Sequence, residues 1–138
     1  MASCSGNNAQ REAAELLRMA NECYEQGQYG KALAVIDSLR RVYPNALETR
    51  RKALSLYQSI ALKEAQEDLA RTDSMLQSIT HDYVYQKTKV DKDRAELRAT
   101  EQELQMLNET KVRMDSLKVR FDVQCAKIRY IHKKQKEN

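Results

Sequence analysis

The chain has 138 residues, of which 32% are charged and only 6% aromatic, with no Trp, three Gly and a single Pro. Charged and helix-favouring residues with so few breakers describe long amphipathic helices and exclude a compact mixed fold. The 41% apolar content excludes a disordered chain, and no stretch approaches the ~20 apolar residues of a membrane-spanning helix. The net charge of +4 is unevenly placed along the sequence: residues 1–104 carry 15 Lys/Arg against 16 Asp/Glu, and residues 105–138 carry 9 against 4.

The amino end reads Met-Ala-Ser-Cys-Ser-Gly-Asn-Asn. Ala2-Ser3-Cys4 resembles the end of a bacterial lipobox, with Met1 where that family has Leu. The resemblance implies a lipoprotein whose Cys4 carries the acyl chains, anchored in the bacterial cell envelope and sorted to the outer membrane. Several acyl chains on one residue suffice for stable anchoring. Residues 1–8 then form a polar tether. The alternative location is cytoplasmic, with an incidental cysteine.

The first helix is predicted from Ala13, Leu16, Leu17, Ala20, Cys23 and Tyr24, which recur at the three-and-four spacing of one helix face. Past Gly27 and Gly30, the glycines expected to shape the corner, the spacing returns at Ala32, Leu33, Ile36, Leu39, Val42 and Tyr43. Gly27 can take the left-handed conformation that closes a helix, and Pro44 ends the second one. Asn45, with Glu48 three residues on, is placed to cap a third. The order Leu16, Ala20, Tyr24, Gly27, Tyr29, Ala32, Ile36, Leu39, Pro44 resembles a tetratricopeptide repeat (TPR) over residues 13–46, within a helical hairpin expected at residues 9–46. Such repeats bind partners in a groove, which here implies Leu17, Asn21 and Tyr24 as the contacting residues. The Lys that some members use to clamp a carboxylate is absent, since Leu17 stands in its place. One repeat cannot bury its own apolar face, so something must cover it.

From residue 46 to residue 138 there is no further Gly or Pro. One stripe runs Leu54, Tyr57, Ala61, Ala65, Leu69, Leu76, Ile79, Tyr83. Another runs Leu97, Leu104, Leu107, Met114, Leu117, Phe121, Cys125, Ile128, Ile131. Many steps are seven residues, as in a coiled coil. An antiparallel coiled-coil hairpin is therefore expected, turning either within residues 80–91, which are rich in weak helix formers, or at Asn108–Thr110. Its distal end would pack back on the TPR-like part. The expected fold class is all-α, one TPR-like helical hairpin followed by this long hairpin.

Little of the sequence suggests chemistry. No phosphate loop, nucleophile elbow or metal motif is present, and the chain is expected to be a non-enzyme without a cofactor or metal. Cys23 and Cys125 sit on apolar faces, either as buried free thiols or as a disulfide in an oxidising compartment. The tail residues Lys127, Arg129, Lys133, Lys134 and Lys136 are candidates for an anionic surface. The functional expectation is a lipid-anchored scaffold or interaction module, with a protein partner, a membrane contact through the anchor and a homo-oligomer through the coiled coil. The alternative is a cytosolic coiled-coil adaptor or nucleic-acid-associated protein that uses the basic tail.

Overall fold

The computed structural model describes the backbone of residues 2–138 and the side chains from residue 6 onward. It is all-α: helices α1 (Ala2–Glu25), α2 (Tyr29–Val42), α3 (Leu47–Ala95) and α4 (Glu101–Lys136) follow one another, and no strand occurs among the described residues. The chain divides into two compact units, Met1–Glu64 with Tyr130–Asn138, and Ala65–Arg129.

In the first unit the α1–α2 corner is closed by two backbone hydrogen bonds. The Gln28 N–H donates to the Cys23 carbonyl at 2.8 Å and the Gly27 N–H to the Tyr24 carbonyl at 3.0 Å, with Gly27 at φ 74°. This is the Schellman arrangement, and it needs a residue free to adopt a positive φ. Small residues then let helix backbones approach. Ala20, Ala32 and Ala53 are fully buried, and with Ile36, Leu39, Leu56 and Ile60 they form a core contributed by α1, α2 and the first turns of α3. Leu16, Leu17, Cys23, Tyr24 and Tyr29 pack against it. The phenol of Tyr43 donates to Glu12, tying the end of α2 to α1. In the carboxyl-terminal part of this unit Ile131 is buried, and the Asn138 side-chain amide donates to the Gln58 carbonyl oxygen.

Three local expectations are corrected here. The Ala46 N–H donates to the Tyr43 carbonyl at 3.2 Å, so Pro44 and Asn45 are the central residues of a turn. That takes Asn45 out of the cap position: α3 opens at Leu47, and Ala46 offers the first helical carbonyl, to the Arg50 N–H at 2.9 Å. Gly30, expected to shape the corner, lies inside α2, where an added Cβ would meet nothing within 4 Å. Gly6, Asn7 and Asn8, expected in a tether, are helical within α1. Extending a formed helix outward is far cheaper than nucleating one, and this carries weak formers along.

In the second unit one row of buried and half-buried residues on α3 runs Ala65, Leu69, Thr72, Leu76, Ile79, Tyr83, Gln86 and Val90, with Glu67, Asp68, Asp73 and Asp93 half-buried beside it. A matching row on α4 runs Glu103, Leu107, Thr110, Met114, Leu117, Phe121, Gln124 and Ile128, with Leu104 and Cys125 half-buried beside it. Both rows step alternately by four and three. Ion pairs join the helices. Arg120 binds Asp68, with Nε to Oδ2 at 3.2 Å, and Lys89 Nζ lies 3.9 Å from Glu103 Oε1. The pair nearer the interhelix break joins residues closer in sequence than the other does.

Neither expected turn position holds the break. Residues 80–91 and 108–110 are both helical, and the chain turns between Ala95 and Glu101. The device is a second Schellman closure: Arg98 N–H to Asp93 carbonyl at 2.6 Å, and Leu97 N–H to Arg94 carbonyl at 3.0 Å. Leu97 occupies the position that Gly27 holds in the first corner, at φ 60°. It leaves its expected stripe and is 95% exposed. Thr100 then caps α4, its hydroxyl accepting from the Glu103 N–H at 3.1 Å. Weak helix formers at 80–91 stay helical because Ile79, Tyr83 and Val90 are packed, and packing outweighs propensity. The last helix is also the shorter, with 36 residues against 49 in α3, where a turn within residues 80–91 would have made it the longer.

Candidate interaction surfaces

Leu17, Asn21 and Tyr24 share one face of α1, as their spacing requires. Leu17 and Tyr24 are half-buried against the core, and the Tyr24 ring lies 5.9 Å from that of Tyr29. Asn21 is exposed and its amide donates to the Leu17 carbonyl at 3.1 Å. The face therefore presents one amide oxygen between two anchored apolar residues.

The five basic tail residues are divided between the two units: Lys127 and Arg129 fall in the second, and Lys133, Lys134 and Lys136 in the first, where helical geometry sets Lys133 and Lys136 on one side of α4 and Lys134 on another. Lys134 is bound to Glu137 at 3.1 Å and stands 5.6 Å from the Tyr130 ring centre. Its hydrogen bond to Glu137 raises its pKa above the usual lysine value. Lys127 lies close enough to Asp68 to help keep that carboxylate ionised, after the larger effect of Arg120.

Cys23 and Cys125 are each half-buried, and each is a free thiol in this structure. The side chain of Cys4 lies outside the described residues. Among the described residues no group of His, Cys, Asp and Glu is placed to hold a metal ion, and no helix is long and apolar enough to cross a membrane.

Two features emerge that the sequence reading passed over. Val112, Val119 and Val123 are 55–64% exposed and form a second apolar row on α4, opposite the buried row of Met114, Phe121 and Ile128. The seven- and four-residue steps were present to be read, but the stronger stripe masked them. The second feature is a cleft of about 470 Å³ lined by Arg40, Leu47, Arg50, Arg51 and Leu54. Its signal was the Arg-Arg and Arg-Arg-Lys clusters either side of Pro44, hidden because acidic residues elsewhere balance them in any long count.

Comparison with known proteins returns no match to this chain, whether to protein-family models, curated proteins or solved structures.

Proposed function

We propose that the chain is a non-catalytic, lipid-anchored scaffold of the bacterial cell envelope, in which a TPR-like hairpin of α1 and α2 and an antiparallel coiled coil of α3 and α4 present helix faces to protein partners. The observation that carries this reading is the doubled apolar patterning of α4. One row is spent inside the unit, and the Val112–Val119–Val123 row is left on the surface. A helix that keeps valines in register on its outer face has a stripe suited to a partner helix.

The glycine-closed corner and the alanine-lined contact of α1 and α2 support the TPR-like part. The seven-residue spacing and the sequence-ordered ion pairs support the coiled coil. The anchor rests on the Ala2-Ser3-Cys4 resemblance alone. Two experiments test the proposal. A photoreactive residue at position 119 in intact cells should give a protein adduct of one discrete mass, abolished by Val123→Glu; no adduct at that position refutes the interaction face. Mass spectrometry of the natively expressed protein should find an acylated Cys4 terminus, and an unmodified Met1 or Ala2 terminus refutes the anchor.

A further inference from the structure

The net positive charge of the molecule resides in one of its two units. Residues 65–129 carry 12 Lys/Arg and 12 Asp/Glu and are neutral, while the remaining residues carry 12 against 8. Within that charged unit, residues 40–54 hold Arg40, Arg41, Arg50, Arg51 and Lys52 against Glu48 alone. The fold brings the two clusters together because the turn at Pro44 and Asn45 sets the end of α2 beside the start of α3. The result is the cleft of about 470 Å³ lined by Arg40, Leu47, Arg50, Arg51 and Leu54, with no carboxylate in its wall.

The side chains of this cleft are positioned but not neutralised. The Arg40 guanidinium stands 5.0 Å over the Tyr57 ring centre, and Arg50 Nη1 donates to the Pro44 carbonyl at 2.7 Å. Neither these two nor Arg51 takes part in an ion pair, whereas Arg18, Arg71, Arg98 and Arg120 each do. A ring and a carbonyl orient a guanidinium without cancelling its charge. Between the arginines lie Leu47, 70% exposed, and Leu54, 37% exposed. They are two turns apart on one side of α3, and Gln58, which receives the Asn138 amide, continues the same line. The two turns before Gln58 stay open.

We infer that this cleft docks an acidic, leucine-type amphipathic segment of a partner protein, its carboxylates taken by Arg40, Arg50 and Arg51 and its apolar side chains set between Leu47 and Leu54. Carboxylates meet the guanidinium fork two oxygens at a time, which a mobile counter-ion does not. A row of nucleic-acid phosphates would satisfy the arginines and leave the two leucines against water. A flat bilayer surface does not enter a cleft between two helices. Only a segment that is anionic and apolar at once matches both halves of the lining. The inference names a partner class for the scaffold reading above and rests on that reading, but it uses a different surface from the valine row of α4.

The test uses the full chain and a labelled synthetic peptide with leucines about seven residues apart set among glutamates. Binding should weaken steeply with added salt. It should fall about tenfold in Arg51→Gln, whose side chain makes no internal bond. It should fall again in Leu54→Ser and stay unchanged in the combined Lys133→Gln, Lys134→Gln, Lys136→Gln variant. Melting curves confirm that each variant is folded, and Arg51→Gln stands in for Arg50→Gln because Arg50 also holds the corner. Any of four results overturns the inference: equal binding by Arg51→Gln, loss only in the tail variant, equal binding of a peptide with glutamine for glutamate, or binding of phosphatidylglycerol vesicles or duplex DNA without the peptide. If the peptide fails while crosslinking at position 119 succeeds, this inference falls and the scaffold reading stands.

Discussion

Leu97 is the residue whose replacement bears most directly on how this chain turns. It is a leucine at φ 60° in a closure that elsewhere in the same molecule uses glycine. A left-handed conformation costs an L-residue about 1–2 kcal/mol. At 95% exposure the side chain gives back almost nothing by burial, so truncating it forfeits almost no transfer energy. Glycine frees the strain but adds about 0.5–1 kcal/mol of unfolded-state entropy. The difference leaves Leu97→Gly more stable by roughly 0.5–1 kcal/mol, a rise in Tm of about 2–4 °C for a chain of this size. Leu97→Ala is the control, since it removes the same apolar bulk and keeps the strained φ. Chemical denaturation of the three proteins, read as midpoint at constant slope, separates the cases. If alanine stabilises as much as glycine, or if glycine stabilises nothing, the backbone argument for this corner is wrong.

Thr72 is fully buried and its hydroxyl has no partner, so Thr72→Val should stabilise by about 1–2 kcal/mol; a loss of stability in the same denaturation assay would mean the hydroxyl is satisfied. Gly27→Val should cost about 1–2 kcal/mol through its φ alone, there being no atom near the new Cβ, while Gly30→Ala should be neutral or gain up to about 1 kcal/mol; equal effects at the two positions would contradict the corner geometry. Asp68 has its pKa below the ordinary 3.8, chiefly through the Arg120 hydrogen bond and against the pull of desolvation. Because the folded value is the lower one, its contribution is fully present above the unfolded pKa and is lost as pH falls through the folded value. Acid unfolding followed by circular dichroism below about pH 4 should therefore be shallower in Arg120→Gln, and identical pH slopes in the two proteins would refute the pair's role.

The first corner was legible because its punctuation is chemically distinctive: Gly27 and Pro44 restrict the backbone in ways few residues imitate. The second corner was hidden because nothing distinctive marks it. Leu97 does a glycine's work, and its place in a run of apolar residues at seven-residue spacing argued for continued helix. A better clue lay three residues on, where Thr100 and Glu103 have the spacing of a capping box. It lost to the cluster of weak formers at 80–91, which tertiary packing overrides. The interaction surfaces show the same divide. The faces of α1 and the tail follow from helical period, but the Arg40, Arg50 and Arg51 cleft depends on a turn folding two sequence clusters onto one site.

Thr72, Gln86, Glu103 and Gln124 each keep a shielded oxygen without a donor, and all four occupy the inward row of the second unit. Each such oxygen costs on the order of 1–3 kcal/mol, so this part of the molecule sits in a shallower energy well than its apolar contacts alone would give. Shallow wells open often. The amides flanking these layers should be where solvent deuterium and proteases gain early entry.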